Sequence, residues 1–214
     1  MNGATTMTPA PGTVFIISAP SGAGKTSLVA ALRERVDGLE LSVSHTTRAP
    51  RDGECHGEHY YFVTRNDFEA EIEAGSMLEF ADVFGNLYGT SARFVQERTI
   101  AGADVILEID WQGAELARSK LDDEVSIMIL PPSLDALAAR LRGRGKDSEE
   151  VIARRLAAAH EEMSHVADFD YVVINAHFDL AADQLAAIVH AESVRGTRVL
   201  TRHEDVIEGL LTGS

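Results

Sequence analysis

The chain has 214 residues, of which 45% are hydrophobic and 25% are charged, and this is the composition of one ordinary globular domain. Thirty-four acidic against 19 basic side chains give a formal net charge of −15, and a field of that sign disfavours general nucleic-acid binding because it repels polyanions. The one cysteine, Cys55, cannot close an intramolecular disulfide, and no apolar run approaches the roughly 18 residues of a membrane span, so we expect a cytoplasmic protein that does not enter a membrane.

Short apolar runs alternate with helical patterns along most of the chain. Residues 1–11 are small, polar and proline-bearing, and we expect a disordered leader there. The first apolar run, 13–18, ends in a glycine-rich turn, and a helical pattern follows over 27–36. Three more runs each precede a predicted helix: 105–109 before 112–121, 125–130 before 134–142, and 171–174 before 180–194. This alternation predicts an α/β fold with a parallel sheet that is covered by helices on both faces.

Two stretches interrupt the alternation. Residues 45–87 are polar and aromatic, and a capping-box pattern at 64–67 predicts a short helix that ends at Ala74. We expect this stretch to be a subdomain inserted into the parallel core. The second interruption, 142–147, is a basic, glycine-rich hinge that leads into a long predicted helix over 149–165.

The turn after the first apolar run, A-P-S-G-A-G-K-T at 19–26, fits the nucleotide phosphate loop G-x-x-x-x-G-K-[ST] except at Ala19, where glycine is usual. Glycines allow successive backbone N–H groups to turn towards an anion, and the following helix adds its positive end. We expect Lys25 to reach the β- and γ-phosphates and the Thr26 hydroxyl to ligate Mg²⁺. A plain glycine-rich turn is the alternative, but strand, loop and helix follow in the order that a phosphate loop requires. The residues assigned to ATP binding are Ala19, Pro20, Ser21, Gly22, Ala23, Gly24, Lys25 and Thr26.

Charged side chains at two further places suit a phosphorylated substrate. Asp110 follows the apolar run 105–109, where a carboxylate can hold the metal's water shell or a substrate group, or simply cap the next helix. Arg48 and Arg51 stand three apart around a proline in a polar segment, and their planar forks suit a phosphate dianion. A solvated loop is the alternative for the two arginines.

Several motifs that follow one another along the chain resemble the guanylate kinase family. After A-P-S-G-A-G-K-T come S-H-T-T-R-A-P-R-D-G-E, H-Y-Y-F, M-L-E-F, N-L-Y-G-T, L-E-I-D-W-Q-G and P-P-S-L-D-A-L-A-A-R-L-R-G-R-G. The likeness runs from about 12 to 194. It implies an α/β fold with a P-loop NTPase-type parallel sheet flanked by helices, an inserted mixed GMP-binding subdomain and a helical lid.

The resemblance also implies a division of the chain. A guanylate kinase-like domain covers 12–194, between the leader 1–11 and a C-terminal tail, 195–214. Its core comprises about 12–43, 89–139 and 166–194, its GMP-binding insertion about 44–88, and its lid about 140–165.

Members of this family transfer the γ-phosphoryl group of ATP to GMP with Mg²⁺, and the resemblance implies which residues of this chain do so. The GMP phosphate is implied to be held by Arg48, Arg51, Tyr60 and Tyr88, and the guanine ring to be read by Ser44, Glu79, Thr90 and Asp110. The arginines that close on ATP are implied to be Arg140, Arg144 and Arg155, with Asn175 near the adenine. The expected catalytic residues are Lys25, Arg48, Arg140 and Arg155. We expect ATP and GMP as partners, with no nucleic acid and no membrane, and leave a homo-oligomer open.

The chemistry of the residues agrees with that implication. Guanine presents N1–H and an exocyclic amine together, and the Glu79 carboxylate can accept from both, whereas adenine has no such donor pair. The alternatives are that the two tyrosines are core aromatics and that the arginines are solvated helix charges. Zinc is a further alternative for a cluster whose spacing matches no standard site, namely His45, Cys55, His56 and His59.

Two other functions fit the same fold. The first is a guanylate-kinase-like binding module that has lost catalysis, but Lys25 and Thr26 are in place and the chain has no room for another interaction domain. The second is a kinase of a phosphorylated ribose, but Glu79 and the paired tyrosines favour an acceptor that carries a base.

Overall fold

The computed structural model describes residues 11–83, 85–143 and 148–213. Its main sheet has five strands, all paired in parallel: β1 (Val14–Ser18), β2 (Leu39–Leu41), β7 (Asp104–Glu108), β8 (Glu124–Leu130) and β9 (Tyr171–Ile174). The strand order is β2-β7-β1-β8-β9, with β1 at the centre. The carboxyl ends of β1 and β7 therefore lie side by side, where an open parallel sheet binds its ligands.

Helices cover both faces of this sheet, as the alternation of runs predicts. On one face lie α1 (Lys25–Arg35) and α7 (Phe178–Ser193), and on the other α3 (Ala92–Ile100) and α4 (Trp111–Arg118). All five residues of β1 are buried because the strand is covered on both sides. Phe15 and Ile17 enter the core beneath α1, and Val14 and Ile16 enter the core beneath α4.

A second, mixed sheet carries the insertion. Its strands are β3 (His45–Thr46), β4 (Tyr61–Phe62), β5 (Met77–Val83) and β6 (Asn86–Ser91), in the order β4-β3-β6-β5. The predicted short helix is α2 (Arg65–Glu73), and Thr64 caps it by accepting a hydrogen bond from the Asp67 amide at 3.2 Å. One face of the sheet packs on this helix, since a Cβ added at Gly89 would lie 3.0 Å from the Phe68 ring.

The predicted lid region contains two packed helices, α5 (Leu134–Gly143) and α6 (Glu149–Ser164). They share a small core of Leu137, Leu141, Ile152 and Ala159. A 3₁₀ turn, Val166–Asp168, joins α6 to β9, and α8 (Gly196–Arg202) and α9 (Glu204–Thr212) follow α7 in the segment that we describe above as a tail. None of the helices among the described residues combines the length and apolar character needed to cross a membrane.

Candidate active site

The phosphate loop joins β1 to α1 in the conformation that its glycines permit. Gly22 and Gly24 have φ angles of +94° and +98°, a region that side chains rarely adopt. A side chain would also crowd its neighbours, because a Cβ at Gly22 would lie 2.8 Å from the Leu141 side chain and one at Gly24 would lie 2.8 Å from the Asn175 amide nitrogen. Ala19, the departure from the usual pattern, is buried in the core beneath α1.

Lys25 is the half-buried cation of this loop. Its Nζ donates to the main-chain oxygen of Ile109 at 2.8 Å, at the carboxyl end of β7. Burial lowers the pKa of the Lys25 ammonium, while four carboxylates around it act in the opposite direction: Glu108, Asp110, Glu162 and Glu79. The loop thus points a poorly solvated positive charge at the space where an anion would bind.

Thr26 and Glu108 form a pair beside Lys25 that the sequence analysis missed. The Thr26 hydroxyl donates to the carboxylate of Glu108, which is the last residue of β7. The signal that could have revealed Glu108 is an acid at the end of a buried strand, two residues before Asp110. A hydroxyl and a carboxylate side by side are oxygen ligands of the kind that Mg²⁺ prefers.

A cavity opens over the loop, and two acids from other elements line it. Besides residues of the loop, its wall includes Asp110 and Glu162. Glu162 lies on α6 and was also missed. Burial raises the pKa of Glu162, with a further contribution from Asp110, while the charge of Lys25 lowers it. A residue of the predicted lid helix thus lies beside the phosphate loop.

Arginines of the predicted lid region also contact the loop. Arg140 donates to the main-chain oxygens of Ala23 at 3.2 Å and Asn175 at 2.8 Å, and the Asn175 side chain donates to the same Ala23 oxygen at 2.8 Å. Arg155 donates to the Ser21 hydroxyl at 2.6 Å. The structure thus brings both arginines and Asn175 to the loop. Arg144 lies outside the described residues.

Glu79, on β5, is a buried acid, 5% exposed. It accepts a hydrogen bond from the Thr90 hydroxyl at 2.7 Å, and burial raises the pKa of Glu79 to about 7. A Cβ added at Gly113 would lie 3.0 Å from one Glu79 oxygen and 3.4 Å from one Asp110 oxygen, so the two carboxylates flank that glycine. Asp110 also accepts from the Gly113 amide at 2.8 Å and caps α4, so it serves as a helix cap while lining the cavity.

Arg48 lies among aromatic rings and one acid. Its guanidinium is 5.4 Å from the Tyr60 ring centroid and pairs with Glu54 at 2.9 Å, and Tyr60 meets Tyr88 edge-to-face at 5.9 Å. Glu54, another acid that the sequence analysis missed, also accepts from the Arg51 amide at 2.8 Å. Its hydrogen bonds from Arg48 and Arg51 lower the pKa of Glu54 to about 2. The Arg51 side chain is exposed, and Ser44 is half-buried next to β3.

Known proteins resemble this chain over most of its length. The family model described as guanylate kinase matches residues 12–192. The chain belongs to the guanylate kinase family. Guanylate kinase from Chromohalobacter salexigens is 54% identical over 204 residues, which cover 95% of each chain. Guanylate kinase from Escherichia coli K12 is 52% identical, covering 94% of this chain and 99% of its own. A crystal structure of guanylate kinase from Anaplasma phagocytophilum matches with a TM-score of 0.69 at 34% identity, covering 90% of this chain and 92% of its own.

Membership of the guanylate kinase family confirms the resemblance and the α/β fold with its mixed second sheet. The histidines and the cysteine that could suggest zinc fall into two groups. His45 and His56 both contact the Tyr61 ring, at centroid distances of 4.9 and 5.4 Å. Cys55 and His59 lie with Glu58, their ligand atoms within 4.8 Å of one another, and all three residues are exposed. Nδ1 of His59 already accepts the Cys55 amide at 3.2 Å, so in the neutral ring the other nitrogen carries the proton and offers no lone pair to a metal.

Proposed function

We infer that the chain transfers the γ-phosphoryl group of ATP to GMP and releases ADP and GDP. A phosphate oxygen of GMP forms a bond to the γ-phosphorus as the bond to the β–γ bridging oxygen breaks. The observation that carries this conclusion is the buried Glu79–Thr90 pair next to Asp110, the acid that also lines the cavity over the phosphate loop. A phosphate loop alone fits many kinases, whereas a buried carboxylate fits an acceptor with adjacent N–H donors.

On the donor side, the loop amides and Lys25 hold the phosphates of ATP. Phosphoryl transfer leaves little covalent work to the protein, so positioning and charge stabilisation carry the rate. Lys25 supplies a cation that burial has already partly stripped of water. Arg140 and Arg155, which contact the loop at Ala23 and Ser21, add positive charge around the transferred group. Arg144 is assigned to the same role by family likeness, and Asn175 to the adenine side.

The donor set beside Lys25 fits Mg²⁺. Thr26 would hold the ion, with water and phosphate oxygens as its other ligands, and the neighbouring Glu108 would accept from its water shell. A bound Mg²⁺ neutralises charge on the β- and γ-phosphates. Glu108 and Thr26 are already hydrogen-bonded to each other, so the hydroxyl is oriented towards the metal side of the loop.

On the acceptor side, Glu79 reads the guanine ring by accepting from N1–H and the exocyclic amine, with Thr90 fixing the carboxylate from behind. Asp110 and Ser44 complete the base contacts. The GMP phosphate is held by Arg48, Arg51, Tyr60 and Tyr88. Arg48 suits this role because its guanidinium is already oriented by Glu54 and by the Tyr60 ring.

The proposed division of the chain follows these roles. Residues 44–88 form the GMP-binding insertion, and 140–165 form the lid over ATP. The remainder of 12–194 forms the parallel core, between the leader 1–11 and the tail 195–214. A lid that closes over the loop excludes water and so limits wasteful hydrolysis of ATP.

The test is ADP release from Mg·ATP with GMP, AMP, UMP, CMP or ribose 5-phosphate as the acceptor. We expect rapid turnover with GMP alone, because only guanine satisfies Glu79. Turnover with another acceptor would still show a kinase but would contradict the recognition of guanine by Glu79. A folded protein that binds GMP and turns over no acceptor would be a binding module.

A further inference from the structure

Outside the nucleotide cleft, the chain's one tryptophan stacks on a histidine at the end of α6. The ring centroids of Trp111 and His165 lie 3.6 Å apart, with 10° between the ring planes. Trp111 is the first residue of α4, and His165 follows the last residue of α6. The Nδ1 atom of His165 lies 3.3 Å from a carboxylate oxygen of Asp168, which fixes the ring orientation. Both rings are half-buried.

The same helix, α4, holds the turn after α6 at its other end. Arg118, the last residue of α4, donates to the main-chain oxygen of Asp168, and its guanidinium lies 5.1 Å from the Phe169 ring centroid. Phe169 is buried in the core beneath α4. The turn is therefore fixed to the core at Phe169. The Trp111–His165 stack is a second attachment, which joins the start of α4 to the end of α6.

Each ring of the stack belongs to a segment that also carries a residue of one of the two substrate sites. Trp111 directly follows Asp110, whose carboxylate lies with that of Glu79 around Gly113. His165 lies three residues after Glu162, about one helical turn along, and Glu162 lines the cavity over the phosphate loop together with Ser21. A displacement of α6 therefore moves one ring of the stack, and a displacement of the start of α4 moves the other.

We propose that the Trp111–His165 stack positions α6 over the phosphate loop and thereby couples the binding of ATP to the binding of GMP. The proposal rests on the proposed function, because it assigns the two nucleotides to the two sides of the stack. Neither ring lines the cavity over the loop, so both act through other residues as positioning residues. Aromatic pairs prefer particular arrangements of their rings, so the stack favours one placement of α6 relative to the start of α4.

The first test measures the coupling in binding, without turnover. The dissociation constant of GMP is determined with and without a saturating non-hydrolysable β,γ-methylene analogue of ATP and Mg²⁺, and the ratio is the coupling factor. We expect a wild-type factor well above one, and a factor near one in His165→Ala, with the affinity for each nucleotide alone changed by about twofold or less. His165→Phe keeps a flat ring and is expected to retain most of the coupling. His160→Ala, an exposed histidine on the same helix, is the matched control and should behave as the wild type.

A role in stability alone predicts a different pattern, in which His165→Ala lowers the melting temperature and leaves the coupling factor unchanged. That result would overturn the proposal, and so would a wild-type factor of one or an equal loss of coupling in His160→Ala. Wild-type turnover with GMP is measured in parallel. A wild type that phosphorylates GMP without coupling defeats this inference alone, whereas a wild type that does not phosphorylate GMP defeats the proposed function.

The second test is decided on the wild type, with a variant only as a control, because Trp111 is the only tryptophan in the sequence. A contact that couples two sites must differ between their free and bound states. We therefore expect Trp111 emission to change when the ATP analogue is added to the wild type, with a midpoint at the dissociation constant of the analogue. In His165→Ala the same addition should leave the emission unchanged. Constant emission in the wild type would contradict the proposal.

Discussion

The phosphate loop and the segment around Arg48, the two walls of the proposed cleft, hold their cations by different means. Lys25 is half-buried at the end of β7, and its ammonium donates to the main-chain oxygen of Ile109. Arg48 is also half-buried, donates to the main-chain oxygen of Ala49 at 2.8 Å, pairs with Glu54 at 2.9 Å and packs against the Tyr60 ring. The first cation is thus held by a backbone oxygen, and the second by a backbone oxygen together with side chains that can each be replaced.

This difference predicts how each wall responds to mutation. Lys25 is the cation of the phosphate loop itself, and Arg140 and Arg155 are held by oxygens of other loop residues, so the loss of Lys25 should abolish most of the rate. Arg48 has Arg51 close by in sequence and several partners around it, so changes on that wall should have graded effects on the use of GMP. The variants below test this contrast.

The largest effect is expected for Lys25→Met. The substitution removes the charge that stabilises the transferred phosphoryl group, and kcat should fall by roughly 10³-fold. The fold should survive, because methionine fills similar space and avoids the desolvation of an ammonium. Steady-state kinetics and a melting curve check this. Lys120→Met is the matched control, since Lys120 donates to the Met77 oxygen and lines a separate cavity beside Val14, at the start of β1. Near-normal turnover of Lys25→Met would remove the assignment of the phosphate loop.

The next effect is expected for Glu79→Gln. The amide can accept from one guanine donor while its own NH₂ group opposes the other, so the KM for GMP should rise by roughly 10²-fold. The KM for ATP should change by about threefold or less, because the substitution lies on the opposite wall. Initial rates with each nucleotide varied in turn measure both constants. Glu73→Gln, an exposed acid of α2, is the control. Equal losses for both nucleotides would contradict the base-reading role.

The two walls also differ in how far the sequence predicts them. The phosphate loop follows from local pattern, because its glycines, Lys25 and Thr26 are contiguous and lie between a strand and a helix. Three acids were missed because the sequence alone does not distinguish them from ordinary surface acids. Glu54 lies in a polar loop, Glu108 ends a strand and Glu162 lies on a helix with many charged residues. Only the tertiary fold brings them to Arg48, Thr26 and Ser21.

The secondary structure shows the same limit. The edge strand β2 (Leu39–Leu41) has three residues, too few for an alternating pattern to be distinguished from a loop. Helix α3 (Ala92–Ile100) buries one residue, Val95, so its apolar stripe is weak. Both elements are stabilised by packing on β7, which no local signal reveals. By contrast, the three central strands, β1, β7 and β8, are mostly apolar because both faces are covered, and the sequence predicts them.

A smaller effect, on stability, is expected from the titration of Glu79. Its pKa is raised from an ordinary value of 4.5 to about 7, so between these pH values the folded protein binds more protons at this group than the unfolded chain does. The stability that Glu79 contributes is present below about pH 4.5 and is lost as pH rises through about 7. Relative to wild type, Glu79→Gln should therefore gain roughly 2 to 3 kcal/mol in the free energy of unfolding between pH 5 and pH 8. Urea unfolding of both proteins at both pH values tests this. The prediction is contradicted if the difference in the free energy of unfolding between variant and wild type is the same at pH 5 and pH 8.

The smallest effect is expected for Glu54→Gln on the acceptor wall. Glu54 orients Arg48 and accepts from the Arg51 amide, and its pKa of about 2 keeps it ionised at any assay pH. Loss of its charge should loosen both contacts and raise the KM for GMP roughly fivefold, with kcat nearly unchanged, because charge-assisted hydrogen bonds are about twice as strong as neutral ones. Glu58→Gln, an exposed acid of the same loop, is the control. A lower KM in Glu54→Gln would show instead that the carboxylate competes with the GMP phosphate for Arg48. The Arg48–Glu54 pair would then have to break before the GMP phosphate could bind.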